Sequence, residues 1–164
     1  MGQNVKPIPE GHHTLPPYIV VSDAAKALEF YKDAFGAVEM GRFASPDGKI
    51  AHAELRIGDS RLMLSDEFPF GFCRTPESLG GTPSQLWIYA EDVDSLFKQA
   101  VEAGATVKMP PKDQFWGDRT GQRADPFGHM WTLATHKEDV SPAEMMRRGQ
   151  IEMAKMSQRR SQGA

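Results

Sequence analysis

One short pattern occurs twice at a nearly constant spacing. Tyr18-Ile-Val-Val-Ser-Asp23 is a β-branched run that ends in a helix-capping residue, and Leu86-Trp-Ile-Tyr-Ala-Glu-Asp92 has the same form. The closing aspartates lie 69 positions apart. A helical stretch follows each. In the first, Ala24, Ala27, Leu28, Tyr31 and Phe35 share one face at a 3.6-residue period, and Gly36 stops the helix. In the second, Val93, Leu96, Phe97, Ala100 and Val101 do the same before Gly104. Each helix leads into an extended stretch and then a β-hairpin. The chain therefore reads as a duplication, and a duplication is sought before any other pattern because missing it misassigns the whole fold.

The first hairpin can be read residue by residue. Ile50 to Ile57 alternates, Gly58-Asp59 turns, and Ser60 to Ser65 returns. A two-residue turn sets Ile57 opposite Ser60, Arg56 opposite Arg61, and Glu54 opposite Met63. Ala53, Leu55, Ile57, Leu62 and Leu64 then form the core face. The opposite face carries His52, Glu54, Arg56, Arg61, Met63 and Ser65. Two facing arginines need a carboxylate or an anion between them, and Glu54 is the nearest. The second hairpin turns at Asp125-Pro-Phe-Gly128 and returns through His129 to Ala134.

The expected fold is α+β: two tandem βαβββ modules, residues 14–66 and 82–136, forming an eight-stranded curved sheet, a half-barrel with a cleft. An arm, 1–13, precedes the single domain, 14–136. A helical tail, 137–164, follows it. Ser141-Pro-Ala-Glu144 is a capping box opening a Met-rich helix. Gly149 is expected to interrupt this helix, and residues 157–164 to be disordered.

Composition limits the functions. The chain has 164 residues, 25% charged and 40% hydrophobic, with a net charge of −3. A net negative chain offers no electrostatic footprint for nucleic acid. The last 28 residues carry a charge of +2 and the rest −5, which reads as a solvated or docking helix. Apolar runs are far shorter than the ~20 residues that span a bilayer, so no membrane association is expected. From the polar start no secretory leader is expected, and the lone Cys73 can form no internal disulfide. A cytoplasmic protein is expected, with Cys73 inert.

Several segments together resemble the vicinal-oxygen-chelate superfamily of glyoxalase I, extradiol dioxygenases and fosfomycin- and bleomycin-resistance proteins, and its PhnB-like branch most of all. They are residues 23–36, His52-Ala-Glu-Leu-Arg-Ile-Gly-Asp-Ser60, Phe115-Trp-Gly-Asp-Arg119, Asp125-Pro-Phe-Gly-His-Met-Trp131 and Thr135-His-Lys-Glu-Asp139. The resemblance implies a divalent metal that chelates adjacent substrate oxygens as a Lewis acid. The four ligand places fall on Pro16, Met63, Gln85 and Thr132. None is a His or a carboxylate, whereas catalytic zinc sites keep three strong protein ligands. No metal ligands are therefore assigned and no cofactor is expected.

The side chains on the inward faces suggest a ligand instead. Tyr18, Trp87 and Tyr89 supply flat aromatic surface, with Phe115, Trp116, Asp118 and Arg119 in a loop at the mouth. Asp118 and Arg119 are also candidates for a loop-fixing ion pair. Ligand-binding candidates are Tyr18, Arg56, Arg61, Met63, Gln85, Trp87, Tyr89, Phe115, Trp116, Asp118, Arg119 and Thr132. His52 and Glu54 are the candidate catalytic pair. The favoured reading is a small-molecule-binding protein with a degenerate metal site, a homodimer that takes an aromatic or amphipathic ligand. The alternative is a lyase, isomerase or transferase of the same superfamily using His52, Glu54 and a weakly held divalent ion.

Overall fold

A computed structural model describes residues 5–162, with side chains through residue 158. Its order is β1 (Tyr18–Val21), α1 (Ala24–Phe35), β2 (Val38–Ala44), β3 (Ile50–Ile57), β4 (Ser60–Asp66), α2 (Pro76–Leu79), β5 (Gln85–Tyr89), α3 (Val93–Glu102), β6 (Thr106–Asp113), β7 (Asp118–Ala124), β8 (Met130–His136) and α4 (Pro142–Gln162). The eight strands divide into two sheets of four, ordered β1-β4-β3-β2 and β5-β8-β7-β6.

The duplication holds at the level of register. In the first sheet Tyr18 lies opposite Met63 and Ile19 opposite Leu64. In the second, Trp87 lies opposite Thr132 and Ile88 opposite Leu133, each residue 69 positions further on. The joint between strand and helix is duplicated too, with different chemistry. Asp66 Oδ1 accepts from the backbone N–H of Ala24 at 2.8 Å. At the equivalent places Thr135 Oγ1 accepts from the N–H of Val93 at 2.8 Å. Each helix also has an aspartate N-cap, Asp23 or Asp92, satisfying donors that the first turn leaves unpaired.

The first hairpin pairs Ile57 with Ser60, Arg56 with Arg61 and Glu54 with Met63, the register that a two-residue turn requires. Ala53, Leu55, Leu62 and Leu64 are buried. The predicted face of α1 is buried throughout, and Gly36 closes the helix at φ 62°, a backbone angle that suits a residue without Cβ. The predicted face of α3 holds less well: Val93 and Ala100 are buried but Val101 is exposed.

The core joins the two halves. Helices α1 and α3 pack together, and Tyr31 and Phe35 of α1 lie against Trp131 of β8, with ring centroids 5.4 and 4.7 Å apart. Each such ring contact adds roughly 0.5–1.5 kcal/mol beyond burial of area. His129 reaches across to the carbonyl of Val20 at 2.9 Å.

Three expectations for the tail are corrected. Gly149 does not interrupt α4, which runs unbroken through it. A Cβ at this position would come within 3.2 Å of the Phe115 ring, so the glycine is where the helix approaches the body. Residues 157–162 are helical rather than disordered; 163–164 lie outside the described residues. Ser141 Oγ accepts from Glu144 N–H, but the Glu144 carboxylate pairs with Arg147 and Arg148 rather than completing a capping box. No described helix is long and apolar enough to cross a membrane.

Candidate functional site

A cleft of about 490 Å³ lies between the halves, within the size range of small-molecule sites. One wall is the segment before β1 (His13, Pro16, Pro17) with the tip of the first hairpin and Arg61. The other is β5 with Trp131. β5 is an edge strand of its sheet, and residues from both of its faces line the space. Leu86 and Ile88 line it from the core side, and Trp87 and Tyr89 from the other. Trp87 and Tyr89 remain 45% and 62% exposed, with ring centroids 6.1 Å apart.

Of the residues singled out in the sequence, the cleft gathers Arg61, Trp87 and Tyr89. Tyr18, His52, Glu54, Arg56, Met63, Gln85, Phe115, Trp116, Asp118, Arg119 and Thr132 are not on its walls. They fall into separate groups on the sheet faces.

On the first sheet, Glu54 pairs with Arg61 at 3.2 Å and with His12 Nε2 at 3.0 Å. Arg61 also donates to the carbonyl of Gly11 at 3.2 Å. The arm therefore folds back onto this face and occupies both charged groups. Arg56 turns away to the carbonyl of Gly58, which relieves the facing of two guanidinium groups. His52 lies beside the Tyr18 ring at 5.8 Å.

On the second sheet, Gln85 donates to the hydroxyl of buried Thr132. Further along, Asp118 is 4% exposed. It accepts from Tyr89 Oη at 2.9 Å, Trp116 Nε1 at 3.1 Å and His136 Nδ1 at 2.7 Å. Burial pushes the Asp118 carboxyl up, but the hydrogen bonds from His136, Tyr89 and Trp116 outweigh it and hold the group below the usual range. Burial, then the bond to Asp118, pushes Tyr89 up.

Asp118 and Arg119 open β7 rather than standing in a loop, and they do not pair with each other. Neighbours on a strand point to opposite faces. Arg119 accordingly turns toward α3 and binds Asp94 at 2.7 Å and Asp113 at 3.1 Å. Asp125, in the Asp-Pro-Phe-Gly-His-Met-Trp segment, has a structural task. Its carboxylate accepts from Tyr31 Oη, Trp131 Nε1 and the N–H groups of Phe127 and His129 at 2.7–2.9 Å.

The four inherited metal places do not fit a hard divalent cation. Pro16 has no donor atom, Met63 offers a thioether, and Gln85 and Thr132 satisfy each other. Among the described residues no three His, Cys, Asp or Glu side chains are grouped as metal ligands.

The sequence reading passed over His12, His13 and His136. For His136 a signal exists: it shares strand parity with Thr132, four positions further along β8. For His12 and His13 there was none, because nothing local says where an arm will fold.

These features define a two-module α+β protein with a ligand-sized cleft and no His or carboxylate at the metal places. The chain belongs to the Glyoxalase/Bleomycin resistance protein/Dioxygenase superfamily, whose family model matches residues 11–133. It is 47% identical over 148 residues to the uncharacterised protein Rv0887c of Mycobacterium tuberculosis, covering 88% of this chain and 84% of that one. Among solved structures, TioX from Micromonospora sp. ML1 matches with a TM-score of 0.61 at 27% identity, covering 76% of this chain and 99% of that one. The PhnB protein from Bacillus cereus has the same fold, with a TM-score of 0.58 at 18% identity over 75% of this chain and 99% of that one.

Proposed function

We propose that this protein binds a small aromatic or amphipathic molecule in the cleft, without a metal, as a carrier or sequestering protein of the bleomycin-resistance kind. The observation that carries this reading is the pair Trp87 and Tyr89. Large aromatic rings normally bury themselves in the core, and here Trp131, Tyr31 and Phe35 fill that role. Trp87 and Tyr89 stay half-exposed on a concave wall, where a flat ligand can stack on them. Arg61 and His13 on the facing wall supply polar groups that fix its orientation. Glu54, held by Arg61 and His12, serves this arm and wall rather than proton transfer. The protein acts as a homodimer in the cytoplasm, consistent with its lone exposed cysteine.

A melting-temperature screen against aromatic compounds tests the reading. A ligand at about 100 times its Kd adds about 2.7 kcal/mol, a shift of roughly 5–10 °C for a domain of this size. Trp87→Ala should abolish the shift. A shift that survives this substitution overturns the stacking role.

A further inference from the structure

The charged and polar groups on the cleft walls are unequally engaged. Arg61 lines the cleft, but its cation is already balanced: Nη1 lies 3.2 Å from the Glu54 carboxylate and Nε donates to the carbonyl of Gly11. Asp59, at the tip of the first hairpin, lines the same space and is exposed. Among the described residues its carboxylate meets the Ser60 hydroxyl, at 2.9 Å, and no cation. Arg56, the basic residue nearest to it in the sequence, turns instead to the carbonyl of Gly58. On the opposite wall, Tyr89 Oη gives its hydrogen to Asp118, so toward the cleft the hydroxyl can only accept.

The rings of that wall have the same sign. Trp87 and Tyr89 stand side by side, their planes 37° from parallel. An aromatic ring has a negative face, and that of Trp attracts a cation most strongly. A neutral flat ligand uses the area of these rings, but it draws nothing from Asp59 and takes water from a carboxylate without replacing it. An anion meets Asp59 and both ring faces as like charges. A cation is attracted by all three. Residues 1–136, which carry a net charge of −5, add to the same field.

Resting on the cleft reading above, we propose that the ligand of this cleft is an organic cation, a flat ring system bearing a quaternary or protonated nitrogen, which lies on Trp87 and Tyr89 and has its charge balanced by Asp59 across the cleft. Arg61, neutralised by Glu54, does not oppose it. The first module thus supplies the carboxylate and the second the aromatic faces, so the site needs both halves of the duplication.

The test compares three bicyclic probes of similar size: N-methylquinolinium; 1-methylnaphthalene, in which carbon replaces the charged nitrogen; and 1-naphthoate, an anion. Titration calorimetry of the full chain at constant ionic strength should give N-methylquinolinium a Kd about tenfold below that of 1-methylnaphthalene, the effect of cation–π contact and one opposite charge. The naphthoate should bind most weakly. Asp59→Asn should remove most of the advantage of the cation and leave 1-methylnaphthalene unchanged, since Gly-Asn suits the hairpin turn as well as Gly-Asp. Trp87→Leu, which keeps apolar surface but not the ring face, should reduce the advantage too. Binding of N-methylquinolinium no tighter than that of either other probe, or an advantage that either substitution leaves intact, overturns this inference and leaves the cleft reading standing. Failure of wild-type protein to bind any of the three overturns both.

Discussion

At the scale of single residues, two buried charged side chains have opposite consequences. Asp125 is saturated: four donors converge on it from α1, the turn and β8. Burial and Asp125 together raise the Tyr31 hydroxyl well above its ordinary value, so it stays a donor. Asp125→Ala would strand these donors in the core. The expected cost is about 3 kcal/mol or more, read as a lower urea midpoint, with the largest loss of packing around Trp131. Arg123 is the reverse. It is fully buried beneath α3, its guanidinium 3.1 Å from the Phe97 ring centre, with Nη2 bonded to the Phe97 carbonyl. Nε and Nη1 have no hydrogen-bond partner among the described residues. Burial lowers its pKa to about 10. Arg123→Met should therefore stabilise the fold by about 1–2 kcal/mol, seen as a higher urea midpoint with an unchanged slope.

At the scale of elements, α4 depends on few contacts. Phe115 lies against Gly149, and Arg148 links to Glu138 at 2.8 Å and to Glu144 at 2.7 Å. Its four methionines, Met145, Met146, Met153 and Met156, are exposed. Phe115→Ala should raise amide exchange across 142–158 while leaving β5–β8 protected, a contrast that exchange mass spectrometry resolves. The sequence made most elements readable for a physical reason. Periodicity and turn chemistry are local, so α1, the first hairpin and its register followed from spacing alone. The short helix α2 was missed although Thr75 caps it and Pro76 opens it, because four residues show no period. The site was read less well. Trp87, Tyr89 and Arg61 meet at the cleft, but the arm that covers Glu54 and the ring of donors around Asp118 depend on distant segments. The Asp118–Arg119 ion pair, the structural alternative for this segment, does not form, because pleating sends the two side chains to opposite faces.

At the scale of the whole molecule, the halves are repeats of one plan with divided labour. The first contributes most of the buried core, while the second keeps its edge strand β5 exposed. An exposed edge bearing Trp87 and Tyr89 is a liability in a monomer, and association is one way to shield it. Sedimentation equilibrium should accordingly give about twice the chain mass of 18.2 kDa. A mass of one chain at micromolar concentration would remove the homodimer from the proposal.

The three tryptophans occupy three different surroundings. Trp131 is packed in the core, Trp116 donates its indole N–H to a carboxylate, and Trp87 stands half in solvent. The molecule thus carries its own optical probes, with emission from the first following unfolding and from the last following occupancy. A double replacement by phenylalanine that leaves Trp87 alone would turn the protein into a self-reporting fluorimetric sensor.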